Sequence, residues 1–470
     1  MITLSKFFKL NSGQPETHST THQIKEKLKM KNQLLKLLLL FSLSLLPIYS
    51  FARDTENWIK PLSHVNSGDT AFILICSVLV LLMTVPGIAL FYGGMSRKKN
   101  VLNTMMMSFS AACTACVLWV ILGYSLAFTP NNAVIGGLDR VFLLGMNLDL
   151  NKQTTSFYGG DSTVPEAAFM FFQMTFITIS TAIMTGSFVG RMKFSATIVL
   201  SALWSMFVYV PICHWVWGGG FMSHHGVMDF AGGTVVHITA GVSGLTTALF
   251  IGKRMGYGKV PMTPHNMVLT LIGAAFLWLG WFGFNAGSAG AANASAAMAA
   301  AVTQVSTASG ALSWLLCEKI AKQKPSALGL ASGAVAGLVG ITPAAGFVGI
   351  PAALLIGLLT AAAAYFSSVI LKRKLGYDDS LDAFGIHGFG GIVGSILTGL
   401  LFSNEIFGGN ASVFKQVFIQ IEDGLVAIVY SVLMTLILLF ITRFVCGGLR
   451  VSEEDEYRGL DLSQHGEKVE

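Results

Sequence analysis

Two histidines lie inside apolar runs, where charged and polar side chains are rare. His237 closes the segment Asp229-Phe-Ala-Gly-Gly-Thr-Val-Val-His237, and His387 lies in Asp382-Ala-Phe-Gly-Ile-His387-Gly. A neutral imidazole donates one hydrogen bond and accepts another, and its ordinary pKa is near physiological pH. Two such rings can share one N–H···N bond and pass a proton along it. A metal centre needs a third or fourth ligand, and no HxxxH pattern or cysteine cluster offers one. The plainer alternative is a pair of hydrogen-bonded core histidines. Asp229 and Asp382 precede the two histidines, each placed to cap a helix or hold a backbone turn. Asp229 can also favour a cation electrostatically without touching it.

The aromatic residues make a second pattern. They cluster in Phe171-Phe172-Gln-Met-Thr-Phe176, in Trp215-Val-Trp217-Gly-Gly-Gly220, and in Gly280-Trp-Phe-Gly-Phe284-Asn-Ala-Gly-Ser288. An aromatic face attracts a small cation, and a nearby hydroxyl oxygen can accept a hydrogen bond from it. The same tryptophans fit an ordinary aromatic belt at a membrane surface. Composition leaves both readings open.

The elements that must position these residues are membrane spans. The chain has 470 residues, of which 53 % are hydrophobic and 11 % charged, with a mean hydropathy of +0.65. A soluble protein carries about 25 % charged residues, so an ordinary soluble enzyme is excluded. Apolar segments of spanning length fall at 70–92, 101–128, 166–190, 195–218, 232–252, 265–286, 291–317, 327–342, 346–371, 384–402 and 417–445. The eighth is short and rich in Gly and Ala. Basic residues support it by alternation. Arg97, Lys98, Lys99, Arg191, Lys193, Lys253, Arg254, Lys259, Lys319, Lys322, Lys324, Lys372, Arg373 and Lys374 occupy one set of loops; only Arg140, Lys152 and Lys415 occupy the other. The positive-inside rule makes the first set cytoplasmic. The mature N-terminus is then outside and the C-terminal tail inside. His237 and His387 fall five spans apart, so spans 1–5 and 6–10 can be inverted halves, with the eleventh extra. Glycine, at 51 residues, lets such helices approach closely.

The N-terminus distorts the charge balance. Lys31 and Lys36 precede an apolar run from Leu37 to Leu46 that ends in Ile48-Tyr-Ser-Phe-Ala52. This reads as a signal peptide cleaved after Ala52, against the alternative of an uncleaved first helix; Met30 is a second possible start. The first 52 residues hold seven lysines and two glutamates, so the rest of the chain has a net charge near +1 rather than +6. The basic pI of 8.9 therefore carries no argument for nucleic acid. The six cysteines lie in or near apolar segments and form no disulfide scaffold. The division expected is 1–52 extension and signal peptide, 53–446 transmembrane domain, and 447–470 tail. That tail is acidic, and either solvates the terminus or docks on the inner face.

Taken together, these motifs resemble the ammonium transporters of the Amt/Mep family, of the bacterial inner-membrane channel type. The resemblance rests on the Asp229–His237 and Gly280–Gly290 segments and on Pro211-Ile-Cys-His-Trp-Val-Trp-Gly-Gly-Gly220 and Phe384-Gly-Ile-His-Gly388. The stretch Gly337–Gly346 and the tail Gly448-Leu-Arg-Val-Ser-Glu-Glu add to it. It covers residues 66 to 467. The outer loop 129–164 and the N-terminal extension follow no family pattern.

The resemblance implies an all-α polytopic fold with eleven spans, two inverted five-helix repeats and one pore per subunit of a homotrimer. It implies an ammonium recruitment site at Phe176, Trp217 and Ser288, with Phe176 and Phe284 as a stacked gate beneath it. His237 and His387 are implied as a twin-histidine pair in the pore. Asp229, Thr342 and Asp382 support them. No cofactor or metal is implied. The implied substrate is ammonium, with methylammonium as an analogue, taken inward across the cell inner membrane for nitrogen assimilation. The tail is expected to meet a PII-type regulatory protein. A narrow apolar pore cannot replace the hydration shell of potassium or sodium, whereas ammonium can give up its proton and cross as ammonia. Three rival functions differ from this one in particular features. A neutral-gas channel of the Rhesus type generally lacks a cation site like Trp217 and Ser288. An ammonium sensor would need a signalling partner. A membrane metal hydrolase would need a further ligand and a water-activating carboxylate.

Overall fold

In the computed structural model, which describes residues 56–469, apolar runs become helices because only a helix satisfies every backbone polar group in lipid. The predicted signal peptide lies outside the described residues. Among the described residues nine helices are long and apolar enough to cross a membrane. In chain order they are α1 (Ser67–Met95), α2 (Lys98–Phe128), α3 (Glu166–Thr185), α4 (Phe194–His225), α5 (Gly233–Ile251), α6 (Met267–Gly287), α9 (Ile350–Leu375), α10 (Phe384–Leu401) and α11 (Val413–Val445). Two further helices, α7 (Ala294–Ile320) and α8 (Ala327–Ile341), fall where the remaining apolar segments were expected. α7 is rich in Ala, Ser and Thr, and α8 has only 15 residues. The two pack on each other and on α9, and Ser306 on α7 donates to the Gly337 carbonyl on α8 at 2.8 Å. Small polar side chains explain the low hydropathy of α7, and small side chains on both helices explain their close approach.

Local sequence sets the helix ends. The side chain of Asn66 accepts the Asp69 N–H at the start of α1. Asn266, Asn293 and Ser326 do the same for α6, α7 and α8. Within the spans, buried Thr84, Thr104 and Thr398 donate to carbonyls one turn back, so their hydroxyls are satisfied inside their own helices.

Outside the spans the chain is less simple than an all-helical reading allows. Three short strands, β1 (Ile59–Pro61), β2 (Leu148–Asp149) and β3 (Thr154–Ser156), form an antiparallel sheet in the order β1-β3-β2. The body is all-helical, and the three strands are confined to residues before α1 and between α2 and α3. β3 carries Thr154 and Thr155, β-branched residues that favour a strand, and it pairs with β1 and β2 on either side. The loop is also pinned by the buried pair Arg140–Glu166, with N···O distances of 2.8 and 3.2 Å. Tyr124 donates to the same carboxylate at 3.1 Å.

Helices α5 and α10 cross where both carry glycine. A Cβ added at Gly241 would run into the backbone of Gly388, next to His387. Gly241→Val is expected to destabilise the fold by about 1–3 kcal/mol through overpacking and to separate the two histidines. Gly424→Ala on α11 is the control, because a Cβ there meets nothing within 4 Å. Thermal unfolding of the purified variants in detergent checks this: equal midpoints for Gly241→Val and wild type would refute the close-approach argument.

Candidate functional site

Three helices and the turn after α6 build an aromatic pocket. Phe176 comes from the middle of α3, Phe284 from α6, and Trp217 from α4 where that helix breaks at 218–220. Ser288 follows the end of α6. A cavity of about 430 Å³ is lined by Phe172, Gln173, Phe176, Trp217 and Ser288, among others. Trp217 stands edge-on to Phe176, with ring centroids 5.7 Å apart and planes at 89°. The Trp217 indole N–H donates to the Asp229 carbonyl at 2.8 Å, which fixes the ring's angle. Ser288 donates its hydroxyl proton to the Phe284 carbonyl at 2.8 Å. Its oxygen lone pairs are thereby left to accept.

The floor of this cavity is closed. Phe176 and Phe284 stack at 4.3 Å with planes 23° apart, and both are buried. Beyond Phe284, at 6.0 Å between centroids, lies His237. Trp281 stacks on the His237 ring at 5.3 Å and 23°. The Trp281 N–H is held by the Thr342 hydroxyl at 2.9 Å, and that hydroxyl donates to the Leu338 carbonyl. Thr342 therefore acts on the histidine through Trp281.

His237 and His387 meet through their Nδ1 atoms at 3.2 Å, with centroids 5.2 Å apart and planes 26° apart. One Nδ1 must donate and the other accept, so the rings are opposite tautomers across this bond. Among the described residues, His237 Nε2 is buried without a hydrogen-bond partner. Each histidine lies in the opening turn of its helix, and both turns are π-wound, over Gly233–Ile238 and Phe384–Phe389. Such wide turns occur often at functional sites because they re-aim side chains.

Asp229 and Asp382 take the two roles open to them, one a helix cap and one a backbone turn. The Asp229 carboxylate accepts four backbone N–H groups, from Gly232, Gly233, Thr234 and Val235, at 2.5 to 3.1 Å. It caps α5, as its position implied. The carboxylate cap of α10 is Asp379, which accepts the Phe384 N–H at 2.8 Å. Asp382 instead holds a turn at φ 59°, and its carboxylate pairs with Lys372. A signal for Asp379 was present in the chain: it precedes His387 by the same eight positions that separate Asp229 from His237. Beside it, Asp378 is gripped by Arg254 at 2.7 to 3.2 Å. Burial pushes the Asp378 carboxyl up, but the charge-assisted bonds from Arg254 and the nearby Arg191 hold it below the usual carboxylate value. Gln173 and Trp281 also escaped selection as single residues, though both lie inside aromatic motifs.

The C-terminal tail is docked on the body rather than free. Leu449, Val451 and Leu460 are buried. Arg450 pairs with Glu456 at 2.7 Å, and Glu456 also accepts the Met255 N–H at 2.6 Å beyond α5. Asp461 accepts the Asn103 N–H at the start of α2, and the Asn100 side chain accepts the Leu460 N–H.

Comparison with known proteins places this geometry. Residues 71–470 match the model of the Ammonium Transporter Family. An ammonium transporter of Aquifex aeolicus is 46 % identical over 424 residues, covering 89 % of this chain and 96 % of that protein. An ammonium transporter of Bacillus subtilis is 46 % identical over 412 residues, covering 86 % and 98 %. The crystal structure of Mep2 from Saccharomyces cerevisiae superposes with a TM-score of 0.76 at 34 % identity, over 84 % of this chain and 92 % of that one.

Proposed function

Because the chain belongs to the ammonium transporter family, we propose that it conducts ammonium as ammonia plus a proton through one pore per subunit. Ammonium leaves water at the outer cavity, where the faces of Phe176 and Trp217 and the Ser288 oxygen replace part of its hydration shell. The Phe176–Phe284 stack is the gate. Ammonium gives up its proton there, and neutral ammonia crosses the apolar section below. The proton passes along the His237–His387 bond, and ammonium re-forms inside. Potassium has no proton to give up and meets the full desolvation cost. Uptake for nitrogen assimilation across the cell inner membrane is the direction we assign.

The observation that carries this reading is the alignment of parts. An aromatic and hydroxyl cavity sits directly over a stacked phenylalanine pair, and a shared histidine proton bond lies next below it. The remaining architecture follows the same proposal. α7 and α8 complete eleven spans, in two inverted five-helix halves related through the Asp229–His237 and Asp379–His387 segments, with α11 outside the repeat. The N-terminal 52 residues are a leader. The subunits form a homotrimer in the lipid bilayer, and the docked tail offers a PII-type protein a surface at the inner mouth.

Methylammonium uptake by vesicles holding the purified protein tests the reading, at two pH values, with and without a membrane potential. Saturable, protein-dependent uptake driven by an inside-negative potential is expected. Uptake no greater than that of empty vesicles would refute it.

A further inference from the structure

The segment between Trp217 and Asp229 holds itself only as far as Val227, whose N–H closes the short helix Phe221–His225. Residues 226–228 have extended or irregular backbone, yet Asp229 at their end must orient both the Trp217 ring and the start of α5. The N–H groups of Gly226 and Val227 donate back to the Met222 carbonyl, and the side chains that hold the Gly226 carbonyl and both backbone groups of Met228 come from α11, the helix outside the proposed repeat. Gln416 and Gln420 stand one turn apart on one face of α11, and both are buried. Gln416 donates to the Gly226 carbonyl at 2.9 Å. Gln420 does more: its Oε1 accepts the Met228 N–H at 2.8 Å, and its Nε2 donates to the Met228 carbonyl at 2.8 Å. The same Nε2 reaches the Ser395 hydroxyl on α10 at 3.1 Å.

A primary amide that satisfies both backbone groups of one residue mimics a strand partner. It removes the freedom of Met228 to rotate. On the other side, the N–H groups of Phe230 and Ala231 donate to the carbonyls of Pro343 and Thr342. Asp229 is thus clamped from both sides, and its carbonyl holds the Trp217 N–H. A buried glutamine in a membrane span is costly unless its amide is satisfied and used.

We propose that Gln420 is a positioning residue for the outer ammonium site: it sets the Trp217 ring through Met228 and Asp229, and so governs substrate affinity rather than passage. This rests on the transport reading above. A leucine at 420 would fill similar volume but leave the Met228 N–H and carbonyl unpaired. A protonated glutamate keeps one donor and one acceptor for the two Met228 groups and gives up only the amide's second N–H, the one toward Ser395.

The test is methylammonium uptake by vesicles holding equal amounts of wild type, Gln420→Leu or Gln420→Glu. Gln420→Leu is expected to raise KM about tenfold with the maximal rate within about twofold of wild type, as for a misplaced binding group. Gln420→Glu is expected to match wild-type KM at about pH 5, where the acid is neutral, and to drift toward the leucine variant at about pH 8. Each comparison is made with wild type at the same pH. An unchanged KM in Gln420→Leu, a loss of maximal rate alone, or failure of both variants to insert would overturn the inference, the last because it marks a purely structural role. A wild type without saturable uptake would overturn the transport reading as well, which separates the two failures.

Discussion

Replacing His237 and His387 together with leucine is expected to cut ammonium-driven current at least about 100-fold, the scale on which a positioned proton carrier acts. The two rings share a 3.2 Å Nδ1···Nδ1 bond in an apolar wall that includes Trp281 and Phe284. Leucine suits that apolar wall, so the fold should persist and the loss should fall on charge movement. Ammonia itself can still cross, so uncharged flux is expected to outlast the current. A single replacement at His387 leaves the His237 Nδ1 without its partner, and the same loss of current is expected from it. Current measured on supported membranes, with potassium as the competing ion, decides the matter. Full-size current with unchanged selectivity over potassium in the double variant would mean that the proton does not travel by this bond.

The second large effect is expected at Asp229. Its carboxylate accepts four backbone N–H groups at the start of the helix that carries His237. Asp229→Ala leaves four buried donors unpaired, each costing about 1–3 kcal/mol. Several kcal/mol is a large share of the stability of any domain. The expected result is a steep fall in the unfolding midpoint and uptake reduced more than about 100-fold, since Trp217 and His237 lose their common anchor. Asp229→Asn keeps one oxygen that can accept two of the four bonds, and is expected to lie between alanine and wild type. The order wild type, Asn, Ala should hold both in thermal unfolding and in methylammonium uptake. An Asp229→Ala protein with wild-type midpoint and uptake would show that the cap is dispensable and that Asp229 does not organise the site.

Much of this arrangement was legible along the chain. Span positions followed from hydropathy, because a bilayer demands long apolar helices and each span reports itself locally. The loops' basic residues supported α8 despite its 15 residues. Phe176, Trp217, Phe284 and Ser288 were recognisable as a group because their motifs are long and ordered. The choice of aspartate was less accessible. Asp378, Asp379 and Asp382 all precede His387; the eight-residue spacing shared with Asp229 and His237 points to Asp379, but nothing along the chain turns Asp382 toward Lys372 or Asp378 toward Arg254. Nor did the tail's composition decide between solvation and docking. Its acidic residues suit water, and only the placement of Arg450, Met255 and Asn103 gives Glu456 and Asp461 partners.

By itself, the sequence determined the solvent of this protein, the number of apolar segments, and the kinds of side chain available for chemistry: imidazole, aromatic ring, hydroxyl and carboxylate. Those properties are local, being fixed by composition over one span or one motif. The tertiary structure decided convergence. His237 and His387 are 150 positions apart, and they share a proton bond only because Gly241 lets α5 rest against the backbone of α10. Gln420 reaches Met228 across 192 positions because α11 lies over the outer segment. Such contacts depend on helix packing at the scale of one missing methyl group, which no pattern within a single span can specify.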